Sequence, residues 1–543
     1  MAAELARGDL MATIERQRFD LIVIGAGING AGIARDGAMR GLRVLLLDKD
    51  DIAAGTTAFS TRLIHGGLRY LEYAEFGLVR ESLRERERLL RIAPHLVSPH
   101  RFLIPIYAGA RRSPALIRLG MVAYDLLSFD KSLPWHQMLS PEETHALEPG
   151  LDDGGLCGAA AYTDGQVTFP ERLTVENALA ARQYGATVLT YARVDALIRS
   201  GNTVQGVSFS DMLNGGTYAA HGAVTINVAG PWVDHVLGDP GQRPLIGGTK
   251  GSHIVVGAFP GAPSSALYIE AARDRRPYFV LPWNGQYLIG TTDTRYRGDL
   301  DQVVPEEDEL RYLIDETNRV IPNAHLTRDA IHYAYAGVRP LPYEDGSNAA
   351  GITRRHIVHD HAPQSEGLIS VVGGKITTYR SLAQEVIDLG FHKLKRISPR
   401  CTTATIALPG ATGVNWPAFA ATFRDASGLE PARANRLLRL YGIMAWEIMR
   451  IGRAEPELLR SFDAHSGALG AEIVYAIRRE LAQTLGDLLL RRTMVGLGPD
   501  AGLSALEPAA RIAVSHAGWD EDYATQNVET YRTYIQRRTL LSP

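Results

Sequence analysis

Hydrophobic residues change texture three times along this chain, and each texture predicts a different architecture. Near the start, two unbroken apolar runs, Leu21-Ile22-Val23-Ile24 and Val44-Leu45-Leu46-Leu47, flank a helical stretch. Continuous runs, unlike alternating ones, belong to strands covered on both faces, so residues 19–48 read as one βαβ unit. A helix is predicted over 74–92, where Arg80, Glu81 and the run Arg84-Glu85-Arg86-Glu87-Arg88 read as a solvated face. Another follows over 170–184, then strands over 185–191, 204–209, 216–223 and 223–228. The last runs into Gly230-Pro231-Trp232, which returns the chain to the first unit after a meander.

From 245 to 336 strands dominate, at 250–256, 278–283 and 287–292, with a helix over 305–320. An antiparallel unit that covers a substrate is expected there. Leu368 to Val372 is a further strand, followed by a glycine turn and a helix start. Residues 399–413 shift to Pro, Thr, Ala and Gly and read as a linker. Beyond it Leu437, Tyr441, Met444, Ile448 and Ile451 recur at spacings of four and three, which is one face of a helix. The fold class is therefore α/β with three predicted domains: a discontinuous nucleotide-binding unit (19–100 with 155–245 and 337–395), an antiparallel β cap (101–154 and 246–336), and an all-α unit (405–543).

Length agrees, since at roughly 150 residues per domain 543 residues make about three. Hydrophobic residues at 45% and charged ones at 22% exclude a disordered or collagen-like chain. Sixty acids against 57 bases leave a net charge of -3, so no global field recruits nucleic acid. Only Cys157 and Cys401 are present, in no CxxC pair, and neither a disulfide framework nor a metal site is expected. The first 20 residues carry Glu4, Arg7, Asp9, Glu15, Arg16 and Arg18 and lack an apolar core, so they do not read as a signal peptide. No apolar run approaches the ~18 residues of a membrane span. One imbalance remains: six of the 57 bases are lysine and the other 51 arginine, so each lysine is worth locating.

The chemistry begins at Gly25-Ala26-Gly27-Ile28-Asn29-Gly30, which closes the first strand and opens the helix. In such a turn the first glycine bends the chain, the second admits a pyrophosphate to the backbone, and the third lets helix pack on strand. The helix N-terminus supplies N–H groups and positive dipole to the phosphates. Asp48, 18 residues after Gly30, ends the second strand, where it can accept ribose hydroxyls. This fingerprint fits NAD and FAD alike. The next segment, with Thr57, Ser60 and the His65-Gly66-Gly67 loop, suits a flavin held by hydroxyl and backbone contacts. A second turn, Gly373-Gly374-Lys375 before Thr377, points N–H groups and a lysine at one place. Arg339 and Arg354 read either as further cations for that place or as surface charge.

These strings resemble the FAD-dependent glycerol-3-phosphate dehydrogenases, respiratory enzymes with a fold of the glycine and D-amino-acid oxidase type. The resemblance spans almost the whole chain. Besides the first glycine turn its carriers are Arg62-Leu63-Ile64-His65-Gly66-Gly67-Leu68-Arg69-Tyr70, Ala93-Pro94-His95, Lys250-Gly251-Ser252-His253, Ile289-Gly290-Thr291-Thr292-Asp293, Gly337-Val338-Arg339-Pro340-Leu341, Gly373 to Arg380, and Leu490-Arg491-Arg492-Thr493. It implies FAD as cofactor, held by Gly25, Ala26, Gly27, Asn29, Gly30, Asp48, Lys49, Thr57, Ser60, Gly66, Gly230, Gly374 and Thr377. It implies sn-glycerol 3-phosphate as substrate, met by Arg69, Tyr70, Arg339, Arg354, Lys375 and Thr378. It further implies a quinone as electron acceptor, a homodimer, and a cytoplasmic enzyme peripheral on the anionic inner face of the membrane.

The residue types agree with that chemistry. A phosphate dianion on a secondary alcohol calls for two or more cations and a proton acceptor, and the planar fork of arginine binds two phosphate oxygens at once. Arginine itself is no base, with a pKa above ~12. His65, His253 or a deprotonated Lys375 remain as acceptors, the histidines ranked first; with Arg339 they form the expected catalytic set. Lys250 and Lys375, inside family strings, are both expected to need an ammonium. Competing readings are an O2-using glycerol-3-phosphate oxidase, an amine or amino-acid oxidase of the same fold, and a non-catalytic flavin-binding sensor. The chain departs from the family in about 18 residues before the first strand and in Asp48 where Glu is frequent.

Overall fold

The computed structural model describes residues 7–238, 243–345 and 353–539. The first six residues, Glu4 among them, and Ile352, two residues before Arg354, lie outside the described residues.

Coverage of both faces is what the early apolar runs require, and the first strand has it. In Arg18–Ile24, Leu21 and Val23 pack with the helices Ile28–Met39 and Tyr379–Lys393. Phe19, Ile22 and Ile24 pack instead against the helix Arg7–Arg16 and the strand Thr203–Asp211. The residues before the first strand are thus part of the core, with Met11 and Ile14 buried and Arg7 donating to Asp211 at 3.0 Å.

Five parallel strands run in the order Leu368–Val372, Thr217–Asn227, Arg18–Ile24, Val44–Leu47, Thr187–Leu189. Ile357–Asp360 adds an antiparallel edge, and Ala192–Ser200 with Thr203–Asp211 folds against Thr217–Asn227. Ile24 pairs with both Asn227 and Leu47, so the strands finish level. The loops after them gather at the carboxyl edge, where open α/β sheets bind ligands.

The second sheet has ten strands and is antiparallel except where Val97–Tyr107 meets Ala266–Glu270. Its hub, Thr249–Val256, pairs with Gln286–Gly290, Thr294–Arg295 and Ile331–Arg339. Period-two alternation splits this strand between two tasks. Ile254 and Val256 pack with the helix Glu307–Val320, whereas Thr249, Gly251 and His253 take the other face beside Arg339, Gly337 and Tyr335.

Three expectations change. The sequence places residues 155–167 in the nucleotide unit, but Leu156–Val167 pairs along its length with Val97–Tyr107 in the second sheet. The charge run of the helix Phe76–Ile92 is a solvated face only in part: Arg84 is exposed and Arg80, Glu81 and Arg88 are half-buried. Glu85, Arg86 and Glu87 are buried because Arg380 donates to Glu85 at 2.6 Å and Arg86 to Asp164 at 2.6 Å, and charge stays buried only when paired. Residues 399–413 are not a free linker either. Leu408, Pro409 and Gly410 are buried, Gly410 N donates to Glu176 at 3.1 Å, and a Cβ on Gly410 would stand 2.3 Å from His95 Nε2.

The third unit is built from Trp416–Ala426, Pro431–Tyr441, Ala445–Ala454, Gly470–Arg479, Leu506–Ala517 and Glu521–Thr539. Leu437, Tyr441, Ile448 and Ile451 lie in its core, which is continuous with that of the second sheet. Among the described residues no helix is long and apolar enough to cross a membrane.

Candidate active site

A cavity of about 880 Å³ opens between the carboxyl edge of the parallel sheet, the His253 face of the second sheet and the last helices. That volume is at the upper end of the ~300–1,000 Å³ of small-molecule sites.

The nucleotide wall is built as the glycine spacing requires. Gly25 has φ +108°, and a Cβ on Gly30 would stand 1.8 Å from Gly25 O, so neither position takes a side chain. The helix Ile28–Met39 starts at Gly27 without a side-chain cap, and Thr57 Oγ1 accepts from Ile28 N at 3.1 Å. Asp48 accepts from Ala26 N at 2.5 Å and Asp50 N at 2.9 Å. Burial, helped by Asp50, pushes its carboxyl up to about 7 against those two N–H groups. Asn29 joins the two glycine turns: its Nδ2 donates to Gly373 O at 3.3 Å, and a Cβ on Gly374 would meet it at 2.6 Å. Asn29 Oδ1 is buried without a partner. An orphan acceptor, an uncapped helix start and an acid at the strand end are what a dinucleotide fills, and these residues fit FAD. Backbone N–H groups at Gly27 and Asn29 would hold its pyrophosphate after the turn at Gly25, Asn29 Oδ1 would be left to accept from a hydroxyl, and Asp48 would hold a ribose. Ala26 and Gly30 act from behind the wall. Lys49 pairs with Asp301 and lies 4.3 Å over the Trp232 ring, while Ser60 Oγ accepts from Arg62 N at 3.3 Å.

The opposite wall carries the cations. Arg339 meets Asp293 Oδ1 at 3.2 Å and donates to Thr291 Oγ1 at 3.0 Å and Thr292 O at 3.2 Å; Arg354 meets Asp293 Oδ2 at 3.1 Å. Burial would push the Asp293 carboxyl up, but Arg339 and Arg354 outweigh it and hold it below the usual range. Lys375 Nζ lies 3.9 Å from the Tyr70 ring centre and donates to Ser82 Oγ at 3.5 Å. Burial takes this amine down to about 7, with Glu75 and Glu81 opposing and Arg354 adding.

Both histidines are held neutral. His253 Nε2 is 3.0 Å from Thr61 Oγ1, its ring stacks on Tyr335 at 4.9 Å, and burial followed by Arg339 keeps it well below its ordinary range. His65 donates its backbone N–H to Thr377 Oγ1 at 3.2 Å, and burial brings its imidazole down to about 4 despite Asp164. Its loop hangs on a buried chain in which Gly66 N donates to Tyr124 OH at 2.8 Å and Tyr124 OH to Asp164 at 2.6 Å.

The structure therefore brings Gly25, Gly27, Asn29, Asp48, Lys49, Thr57, Ser60, His65, Tyr70, Gly230, His253, Arg339, Arg354, Gly374, Lys375 and Thr377 to one cavity. Arg69, Gly66 and Thr378 stand outside its lining: Arg69 turns to Tyr73, 5.7 Å over that ring, and Thr378 is buried under the start of Tyr379–Lys393. Lys250 leaves on the other face of its strand and pairs with Glu306 at 2.8 Å and Glu309 at 2.9 Å, so it supplies no ammonium here. Sequence reasoning passed over Asp293, although it ends a family string, and Thr61, which was one hydroxyl among several. Thr484, Arg491, Asn527 and Tyr534 also line the cavity from the helical unit; Arg491 stands in a family string that carried no site role, and no local pattern marks the other three. The one trio able to close on a metal ion among the described residues, Glu455, Glu457 and His516, belongs to the helical unit and lines no part of the cavity.

Comparison with known proteins agrees with this geometry. Residues 20–380 match the family described as FAD dependent oxidoreductase, and residues 401–524 match the C-terminal domain of alpha-glycerophosphate oxidase. Glycerol-3-phosphate dehydrogenase from Synechocystis sp. is 47% identical over 97% of this chain and 98% of its own. D-erythritol 1-phosphate dehydrogenase from Brucella abortus is 38% identical over 88% of this chain and 95% of its own. The solved glycerol-3-phosphate dehydrogenase from Bacillus halodurans complexed with FAD superposes with a TM-score of 0.78 at 27% identity, covering 98% of this chain and 97% of that one. With near-complete coverage in sequence and in fold, and a cavity whose residues fit the flavin, the chain belongs to the FAD-dependent glycerol-3-phosphate dehydrogenase family.

Proposed function

We propose that this protein oxidises sn-glycerol 3-phosphate to dihydroxyacetone phosphate and passes the electrons on to a quinone. The observation that carries the reading is that Arg339 and Arg354, bridged by the carboxylate of Asp293, and Lys375 all line the cavity that contains both glycine turns. Two guanidiniums and an amine lining one cavity suit a phosphate dianion. Lys375 falls to the phosphate by electrostatics. An amine near 7 is partly protonated at neutral pH, and a dianion beside it raises that fraction.

The proton of the C2 hydroxyl then goes to His253 Nε2, on a neutral imidazole that shares its sheet face with Arg339. His65, neutral for the same reason, is the second candidate. Arg339 stabilises the oxygen as its proton leaves. FAD, when bound, supplies the acceptor for the hydride on C2.

A quinone acceptor calls for a membrane surface, and one face of the protein supports that. The helix Pro114–Leu126 exposes Leu116 (53%), Leu119 (65%), Val122 (40%) and Leu126 (60%), with Phe129 (71%) just beyond it. Arg80 lies 4.6 Å over the Phe129 ring and Lys131 5.6 Å over that of Trp135. Arg80 pairs with Asp130 and Lys131 with Asp125, so the outstanding feature of this face is its row of exposed apolar side chains, which suits a lipid interface.

Anaerobic mixing of the holoenzyme with glycerol 3-phosphate, D-erythritol 1-phosphate, sarcosine and a D-amino acid tests the substrate. Glycerol 3-phosphate should bleach the flavin at the lowest concentration, and no bleaching by it would sink the reading. Soluble quinone or O2 added afterwards identifies the acceptor, with reoxidation by quinone expected.

A further inference from the structure

The string Leu490-Arg491-Arg492-Thr493 and the acid Asp51 have no part in the chemistry above, yet they form a buried charge cluster at the cavity wall, where Asp51, Leu490 and Arg491 belong to the lining. Asp51 lies three residues beyond Asp48 and is fully buried. Its Oδ2 accepts from Arg491 Nε at 2.6 Å and Arg492 Nη1 at 2.9 Å, and its Oδ1 from Arg492 Nη2 at 2.8 Å. Arg491 also donates to Asp487 at 2.8 Å, and Asp487 accepts the Tyr191 hydroxyl at 2.6 Å. Two acids and two arginines, all buried, balance one another across the junction between the nucleotide unit and the helical unit.

The loop that bears Asp51 is tied on its other side to the flavin cradle. Ala53 N donates to Ala26 O at 3.1 Å, Ala192 N to Asp48 O at 2.7 Å and Tyr191 N to Asp50 O at 3.1 Å. Thr57, at its end, receives the N–H of Ile28. Ala53 (φ +66°) and Tyr191 (φ +57°) hold left-handed backbone, which residues with a Cβ keep only where the surroundings impose it. The helical unit also forms part of the cavity wall through Thr484, Leu490, Arg491, Asn527, Tyr531 and Tyr534.

We propose that the C-terminal helical unit is the closing wall of the flavin site, latched through Asp51 between Arg491 and Arg492, so that FAD retention and docking of this unit are one linked equilibrium. The latch residues are positioning residues that act through the loop 48–57. A half-made buried ion network is worse than none, so docking through this cluster is all-or-none. Whatever factor docking contributes to FAD affinity, bound FAD returns to docking. The inference rests on the family's cofactor and not on which polyol phosphate is oxidised.

The test needs no turnover. In the unmodified protein, limited proteolysis within residues 416–539 is compared between the holoenzyme and its flavin-depleted form. Bound FAD should slow cleavage there about tenfold or more, and equal rates overturn the proposal. Asp51→Asn keeps the side chain's shape and removes its charge. FAD release, read as recovery of free-flavin fluorescence, should then show affinity about tenfold weaker, with the protection from proteolysis lost. A folded Asp51→Asn protein whose FAD affinity is within about twofold of the parent overturns the linkage, as does weaker FAD binding with protection intact. Should Asp51→Asn not fold, Tyr191→Phe, which removes only the hydroxyl on Asp487, carries the same comparison. About threefold weaker retention with weaker protection supports the latch, and unaltered retention overturns it.

Discussion

Gly251 gives Arg339 its place by having no side chain. A Cβ there would stand 2.2 Å from Arg339 Nη2, 2.7 Å from its Cζ and 2.6 Å from Thr291 Oγ1. The strand cannot retreat, because Gly251 is paired to Gly337 in the middle of the sheet. The far end of an arginine can. Restoring an ordinary contact near 3.4 Å moves the guanidinium by about 1.2 Å, which breaks its bonds to Thr291 and Thr292 and draws it away from Asp293. Because a flexible group yields, the fold survives while the position of the charge does not. A displacement of about 1 Å at a positioning group costs up to ~100-fold, or about 2.7 kcal/mol of barrier at ~1.36 kcal/mol per decade. Gly251→Ala is therefore expected to fold with parental Tm and flavin content and to lose ~10–100-fold in kcat/KM for glycerol 3-phosphate. Anaerobic stopped-flow reduction of the flavin across substrate concentration reads both binding and chemistry. Gly77→Ala, where the new Cβ has nothing within 4 Å, is the control and should match the parent. A Gly251→Ala enzyme within about twofold of parental kcat/KM would refute the reasoning that the guanidinium's position, and not merely its charge, matters.

Lys375, brought down to about 7, is charged below that pH and neutral above it, so kcat/KM should fall as pH rises through 7. Lys375→Arg, charged throughout, should abolish this limb, and an unaltered profile would remove Lys375 as the titrating cation. Arg339→Ala should raise KM and also lower kcat, whereas His253→Gln should lower kcat by ~10²–10⁴ with KM little changed; intact kcat in both His253→Ala and His65→Ala would mean that neither imidazole takes the proton. His65 has its folded pKa depressed to about 4 from 6.5, so the unfolded chain takes up the proton first. Stability that is fully present above pH 6.5 should drain as pH falls toward 4, and His65→Gln should flatten that part of a Tm-against-pH curve. Leu119→Glu with Leu126→Glu, both at exposed positions, should leave Tm unchanged and reduce cosedimentation with anionic vesicles; undiminished cosedimentation would exclude this helix as the docking face.

Elements whose own residues carry a full period of information were legible from the chain. The helix expected over 170–184 is Pro170–Gln183, and that over 305–320 is Glu307–Val320. The unbroken runs at 21–24 and 44–47 announce coverage on both faces, which they have. Which sheet a strand joins is another matter. The pattern of Leu156–Val167 says how its faces are covered but not that Val97–Tyr107 lies alongside. The charged helix Phe76–Ile92 fails for the same reason, since burial of Glu85 and Arg86 depends on Arg380 and Asp164, 295 and 78 residues away along the chain.

The two lysines inside family strings show where site reasoning from sequence stops. Both stand out in a chain that writes nearly all its positive charge as arginine, and both were expected to present an ammonium. Strand parity separates them. Lys250 lies between Thr249 and Gly251, which take the sheet face of His253 and Arg339, so its side chain must leave on the opposite face, where Glu306 and Glu309 neutralise it. Lys375 sits in a turn, where parity says nothing, and among the described residues no carboxylate comes within ion-pair distance of it. Arg339 and Arg354 share one carboxylate, Asp293. The charge available to a phosphate is therefore set by the acids that each cation meets, not by the number of cations. Lys250→Arg would test an ion triad with one exposed member, Glu306, and so stability, whereas Lys375→Arg tests recognition of the substrate.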